Sequence, residues 1–257
     1  MKLYLKSVGF LVGLICLAWQ PLAQAAPPYP FYKGEILRYG IRWEQVNAGS
    51  CWLEVRPFTF HNGQPAWHFQ LRAESKSVVD KLFKVRELVE SYVARDFSGS
   101  LFYSQHATGK KKKDIVVKFY RSRGQVQYSN FGGKRDPVAV PPNTFDPLSS
   151  FYRMRTLDLK VGEGLEFPVS DGKKAFFQRG DVIARERISV PWGTMDALVL
   201  VPYTTHFSGI FKKSEDPTVR VWISDDARRL PLRIQIKVVI GSIYFDLEHC
   251  ELPDLPQ

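Results

Sequence analysis

The chain has 257 residues, with 36 lysines and arginines against 26 aspartates and glutamates, so its formal net charge is +10. This length is enough to bury a sizeable core without a metal ion or many disulfides. The positive charge favours anionic partners such as phospholipid or lipopolysaccharide head groups, although it says nothing about the fold.

The first 25 residues have the features of a secretory signal peptide. Lys2 and Lys6 precede an apolar stretch from Val8 to Trp19, which is followed by the small-residue pattern Ala23-Gln24-Ala25. The apolar stretch is shorter than the roughly 20 residues that span a bilayer. We expect cleavage after Ala25 and a periplasmic mature protein, residues 26–257, that meets no nucleic acid.

Alternation of apolar and polar residues recurs throughout the mature chain and predicts half-buried antiparallel strands. The clearest runs are Leu37 to Trp43, Trp67 to Ala73 and Leu232 to Ile240. Short polar breaks of hairpin length separate the strands, at Asn62-Gly63, Ser122 to Gly124, Asp171-Gly172 and Asp225 to Arg228.

This pattern predicts an all-β fold, a large antiparallel meander of about a dozen strands that curls into an open or half barrel. Two short helices are expected, one near Ser77 to Phe83, which could plug or cap the sheet, and one after Asp146-Pro147. We predict a single β domain over residues 26–257. The Gly- and Pro-rich stretch 132–146 leaves open a division into two halves.

Two cysteines remain in the mature chain, in a compartment that favours disulfides. A Cys51–Cys250 bridge would join the two ends of the chain. Strand phase argues against it, because Cys51 shares a face with Leu53 whereas Cys250 shares its face with Asp246 and Glu248, so a regular sheet would point the two cysteines differently. The sequence is compatible with a disulfide and with two free buried thiols.

Motifs for catalysis are missing from the sequence. The five histidines are scattered without the spacing of a zinc site, and no G-x-S-x-G elbow is present. Ser170 to Lys173 matches S-x-x-K, but its central Asp-Gly favours a hairpin over the helical turn that this motif requires. We therefore expect no metal, no cofactor and no enzymatic activity.

Two basic segments are candidates for docking to an anionic membrane surface. Lys110, Lys111, Lys112 and Lys113 lie between two predicted strands, and Lys212 and Lys213 follow the apolar segment Phe207 to Phe211. A solvated hairpin tip is the more ordinary explanation of the first run.

Four aromatic residues are candidates for contacting a hydrophobic ligand. Trp52 and Trp222 are out of phase with their apolar neighbours, and Phe207 and Phe211 lie beside lysines. In an unclosed barrel, a second apolar lining would form a groove for such a ligand, although a covering loop that shields these side chains is the more ordinary explanation.

Three parts of the chain resemble an exported bacterial family catalogued as domain of unknown function 3108. The matching stretches are Gly34 to Tyr39 with Ala48-Gly49, Asp146 to Arg155, and Val221 to Asp226 continuing to Pro231 and Gly241-Ser242. This family brings no assigned activity and no catalytic residues.

The hairpin from Val221 to Arg233 is also similar to one in periplasmic lipoprotein carriers and sigma-factor regulators, which share a curved, unclosed antiparallel barrel. This likeness implies a lipid-binding groove by analogy of fold. The leading hypothesis is a non-enzymatic envelope protein that binds a lipid or another hydrophobic ligand. The alternatives are an adaptor for an envelope protein partner and, last, a hydrolase of envelope polymers.

Overall fold

The computed structural model describes residues 29–203, 218–237 and 241–253. These residues form 15 strands and two α-helices, together with a short 3-10 helix at Arg121–Arg123. The helices are α1 (Ser77–Phe83) and α2 (Pro147–Arg155). The strands are β1 (Ile36–Trp43), β2 (Val46–His61), β3 (Gln64–Ser75), β4 (Arg86–Ala94), β5 (Ser100–Ala107), β6 (Lys113–Tyr120), β7 (Gln125–Asn130), β8 (Gly133–Lys134), β9 (Val138–Ala139), β10 (Gly164–Ser170), β11 (Ala175–Val190), β12 (Gly193–Pro202), β13 (Val219–Ser224), β14 (Pro231–Lys237) and β15 (Ser242–Glu251).

The strands form one antiparallel sheet, which confirms the predicted all-β meander. Neighbours in the sheet follow the order β10-β11-β12-β13-β14-β15-β1-β2-β3-β4-β5-β6-β7-β8, and β9 pairs with β7. Strand β1 therefore lies between β15 and β2, so the two ends of the described chain meet in the middle of the sheet.

The predicted hairpin turns are confirmed. Asn62 and Gly63 join β2 to β3 with φ values of 50° and 77°, the left-handed conformation that a tight two-residue hairpin turn requires. Asp171-Gly172 connects β10 to β11, and the acidic segment Asp225 to Arg228 connects β13 to β14.

The sheet curls without closing. A parallel bridge joins Phe145 to Val169 on the edge strand β10, and the Ser100 N–H at the start of β5 donates to the Thr144 carbonyl at 3.0 Å. The segment before α2 thus spans from the edge of the sheet to its opposite half. The result is an open half barrel with a concave inner face.

Helix α2 fills part of the concave face, whereas α1 packs against β2 and β3. α2 contacts β3, β4 and β10, and buries Leu148, Tyr152 and Met154. The Tyr152 ring stacks on Phe69 of β3 with centroids 3.9 Å apart, and Phe31 packs edge-on to Tyr152 at 5.3 Å. One side of the trough is therefore packed with aromatic side chains.

No helix in the described part of the chain combines the length and the apolar character needed to cross a membrane. Several predicted residues lie outside the described ranges. They are residues 1–25, predicted to be a signal peptide, and Phe207, Phe211, Lys212, Lys213, Val238 and Ile240.

Candidate functional site

Helix α2 is fixed at its N-terminus by a buried acidic cap. Asp146 accepts hydrogen bonds from the Leu148 and Ser149 backbone N–H groups at 2.9 and 3.0 Å and forms a capping box with Ser149. The Ser91 and Ser100 hydroxyls donate to the same carboxylate at 2.5 and 2.6 Å, which ties the helix to β4 and β5. Burial raises the pKa of Asp146, and the serine hydrogen bonds oppose that shift.

A buried ion pair fixes the C-terminus of α2. Arg155 donates to both carboxylate oxygens of Glu35, at 2.6 and 3.0 Å, and to the Pro30 and Arg228 carbonyls. Both charged side chains are almost fully shielded from solvent. Burial acts to lower the pKa of Arg155, but the Glu35 carboxylate outweighs it and the pKa is raised. Both ends of the helix are thus held against the sheet.

Beside α2 the concave face remains open as an apolar cleft of about 340 Å³. It crosses seven strands that are neighbours in the sheet, from β14 through β15 and β1 to β5. The lining residues, together called the apolar cleft, are Tyr39, Cys51, Leu53, Leu71, Glu87, Val89, Tyr103, Gln105, Pro147, Leu148, Phe151, Ile234, Ile236 and Phe245.

The floor and the walls of the apolar cleft differ in exposure. Tyr39 and Leu53 on the floor are buried, whereas Leu71, Phe151 and Ile234 on the walls are half-buried. The walls therefore present hydrocarbon that no other described part of the chain covers. The volume of the apolar cleft lies at the lower end of the range typical of small-molecule sites.

A second cleft of about 530 Å³ adjoins the first, at the end of the trough formed by β4 to β7. Its lining includes two acidic residues, Glu87 and Asp171, and five basic ones. The basic residues are Lys84, Arg86, Lys111, Lys113 and Lys173. We call this region the basic cleft, since its lining carries an excess of positive charge.

The two clefts share a wall made of Glu87, Tyr103, Gln105 and Pro147. At this boundary the Gln105 amide donates to the Glu87 carboxylate, and Lys113 Nζ lies 3.7 Å from Glu87 Oε1. The concave face thus changes from hydrocarbon to cationic along its length.

The structure divides the predicted lysine run. Lys111 and Lys113 line the basic cleft, whereas Lys110 and Lys112 do not. The sequence contains a signal for this, because Lys111 and Lys113 share the phase of Ile115 and Val117, whose side chains face the inside of the sheet. Extending the alternation of β6 towards its N-terminus places both lysines on the inner face.

Neither predicted tryptophan lines the apolar cleft. Trp52 lies on the opposite face of β2 from Cys51 and Leu53, where the Arg72 guanidinium stacks on its ring at 4.3 Å. Trp222 is buried in the main core, and its indole N–H donates to Glu186 at 2.9 Å. The cleft instead uses aliphatic and phenylalanine side chains that alternation alone assigned to the ordinary core.

Cys51 and Cys250 are free thiols in the structure. A β-bulge in the β1–β15 pairing, where Tyr39 pairs with Leu247 and Arg38 with His249, reverses the expected phase. Cys250 consequently faces the core, as Cys51 does. The two cysteines lie on β15 and β2, with β1 between them, so their strands are roughly 10 Å apart. A disulfide requires Cα atoms within about 7 Å.

Among the described residues no group of three or more His, Cys, Asp or Glu side chains could hold a metal ion. The S-x-x-K match does not place its lysine beneath its serine. The Ser170 hydroxyl donates to the Lys174 carbonyl at 2.8 Å, and Asp171 accepts from the Lys173 backbone N–H at 2.9 Å. This segment forms the β10–β11 turn, as its Asp-Gly predicts.

The fold and the two clefts define an open β half barrel with an amphipathic concave face. A family model described as protein of unknown function, DUF3108, matches residues 38–248. The chain therefore belongs to the DUF3108 family, which confirms the resemblance seen in the sequence. No curated protein matches it.

Two solved structures that match this chain share little sequence with it. It is similar to a beta-barrel-like protein of domain of unknown function DUF1849 from Brucella abortus, with a TM-score of 0.54 and 8% identity over 87% of this chain and 99% of the other. A structure titled "putative lipoprotein" from Parabacteroides distasonis gives a TM-score of 0.36 and 10% identity, over 87% and 98% of the two chains. The first likeness supports the half-barrel fold alone.

Proposed function

We propose that this protein is a non-enzymatic, exported envelope protein that binds the hydrocarbon chain of a lipid in the apolar cleft. The observation that carries the proposal is the uncovered hydrocarbon on the concave face. Phe151, Ile234 and Phe245 line an opening that the described part of the chain neither fills nor closes. Exposing such surface is unfavourable by about 25 cal/mol per Å², so a bound apolar chain would recover that free energy.

The anchoring of α2 also supports a binding role. The helix is held at one end by Asp146 and at the other by Arg155, so the cleft wall that carries Phe151 is fixed before any ligand arrives. A preformed wall reduces the conformational entropy that the protein loses when a ligand binds.

Binding of a fluorescent fatty acid, followed by titration and native mass spectrometry, tests the proposal. Ile234→Trp places a larger side chain in the cleft and should abolish binding. The matched control is Ile183→Trp, because Ile183 is 50% exposed and lies outside both clefts. Equal binding by both variants, or no binding by the wild type, would contradict the proposal.

Export is tested separately. The sequence of Lys2, the apolar stretch and Ala23 to Ala25 supports processing after Ala25. N-terminal sequencing of protein from a periplasmic fraction should give a chain beginning at Ala26. A chain recovered from the cytoplasm with Met1 intact would contradict export.

A further inference from the structure

We propose that the ligand is a single-chain amphiphile whose anionic head group binds in the basic cleft while its hydrocarbon chain lies in the apolar cleft. This inference rests on the proposed function, because it assumes that the apolar cleft is occupied. It adds the chemical class and the orientation of the ligand.

The first support is the continuity of the two clefts. They meet at Tyr103, Gln105 and Glu87, so a molecule lying along the concave face passes from hydrocarbon to positive charge without leaving the trough. An uncharged hydrocarbon would use only one of these regions, whereas an anionic amphiphile uses both.

The second support is that separate segments of the chain bring lysines to one cleft. Lys84 precedes β4, Lys111 precedes β6, and Lys173 lies in the β10–β11 turn. Gly109 makes the first two segments meet, because the Lys110 N–H donates to the Lys84 carbonyl at 2.9 Å and a Cβ at Gly109 would lie only 2.2 Å from that oxygen.

The third support is the shortage of carboxylates around these lysines. Within the described ranges, neither Lys84 nor Lys111 has a carboxylate within 4.0 Å, and Arg86 is held by Asp80 at 2.7 Å. Lys173 Nζ lies 4.7 Å from the centroid of the Tyr128 ring. The positive charges of Lys84 and Lys111 are therefore available to an incoming carboxylate or phosphate.

Four probes, used below their critical micelle concentrations, separate the terms of the proposal. Dodecanoate and dodecyl phosphate carry the same chain with different anionic groups, dodecyl maltoside carries it without charge, and inorganic phosphate lacks it. The wild type should bind the two anionic amphiphiles at least about tenfold more tightly than the maltoside, a difference of about 1.4 kcal/mol. The ratio of the affinities for dodecanoate and dodecyl phosphate distinguishes a free fatty acid from a ligand with a phospholipid-derived head group.

The variant Lys84→Gln with Lys111→Gln should remove that preference and leave maltoside binding unchanged. The control, Lys112→Gln with Lys118→Gln, loses the same charge at exposed positions outside both clefts and should behave as the wild type. Added salt should weaken binding of the anionic probes to the wild type more than binding of the maltoside.

The outcomes separate this inference from the function on which it rests. Equal binding of charged and uncharged probes would overturn the inference and leave the proposed function intact. Binding of inorganic phosphate as tightly as the alkyl probes, with no contribution from the alkyl chain, would overturn the inference that the ligand is an amphiphile. Failure of every alkyl probe to bind would overturn both.

Discussion

The buried ion pair between Arg155 and Glu35 gives the sharpest test of how the cleft wall is held. Arg155→Met would leave the Glu35 carboxylate buried without its partner and would also remove the hydrogen bonds to the Pro30 and Arg228 carbonyls. Breaking a buried pair from one side costs about 3 to 5 kcal/mol. For a domain of this size that corresponds to a fall in Tm of about 6 to 20 °C.

Urea unfolding followed by tryptophan fluorescence measures this loss. The matched control is Arg153→Met on the same helix, because Arg153 is half-buried and its guanidinium donates to the Thr156 hydroxyl at 3.1 Å. We expect the control to lose less than about 1 kcal/mol.

The double variant Glu35→Leu with Arg155→Met distinguishes charge burial from lost packing. Replacing both charges by apolar side chains removes the unpaired carboxylate, so stability should recover to near that of the wild type. The resulting double-mutant cycle should give a coupling free energy of about 2 kcal/mol or more. An Arg155→Met variant as stable as its Arg153→Met control, or single losses that simply add, would refute the reasoning.

Three further predictions follow from buried groups. Tyr152→Phe should leave the free energy of unfolding unchanged or slightly raised, because the Tyr152 hydroxyl has no partner among the described residues. Tyr39→Phe should cost about 1 kcal/mol, because the Tyr39 hydroxyl donates to the Pro231 carbonyl at 2.8 Å. Equal losses by the two variants in urea unfolding would contradict this prediction. Burial raises the pKa of Cys51 to about 12 and that of Cys250 to about 11, so a thiol reagent at pH 8 should label Cys250 first, and mass spectrometry of the oxidised monomer should find no bridge between them. Burial acts to raise the pKa of Asp226, but hydrogen bonds from Ser224 and Arg228 outweigh it and lower the pKa below 3.8. Asp226 therefore stabilises the fold above that pH, and the stabilisation disappears as pH falls through the lowered pKa. The Asp226→Asn variant should have a lower free energy of unfolding at pH 7 and a smaller change in that free energy between pH 4 and pH 2, and parallel pH profiles of variant and wild type would exclude the effect.

Sequence reasoning predicted the local parts of this molecule. Alternation identified the strands around Trp67 and Leu37, and the Asn62-Gly63 pair specified a hairpin turn whose φ values are both positive. Asp146-Pro147 marked the start of a helix, because a capping carboxylate and a proline at the first position favour that conformation wherever they occur.

The candidate site depended on relations that sequence spacing does not contain. The bulge between Arg38 and Tyr39 turned Cys250 inward, although strict alternation placed it with Asp246. Leu71 and Ile234 looked like ordinary core positions, because periodicity shows which face a residue takes and not whether anything covers that face.

The sequence by itself determined the strands, their turns and the helix start at Asp146, since each depends on backbone preferences and side chains within a few residues. Only the tertiary structure decided that β1 pairs with β15, the last strand of the described chain, that α2 covers part of the trough, and that Lys84, Lys111 and Lys173 line one cleft beside hydrocarbon that the described residues leave uncovered. The physical reason is that curvature and coverage of a sheet are set by packing between distant segments. A cleft is the space that such packing leaves unfilled.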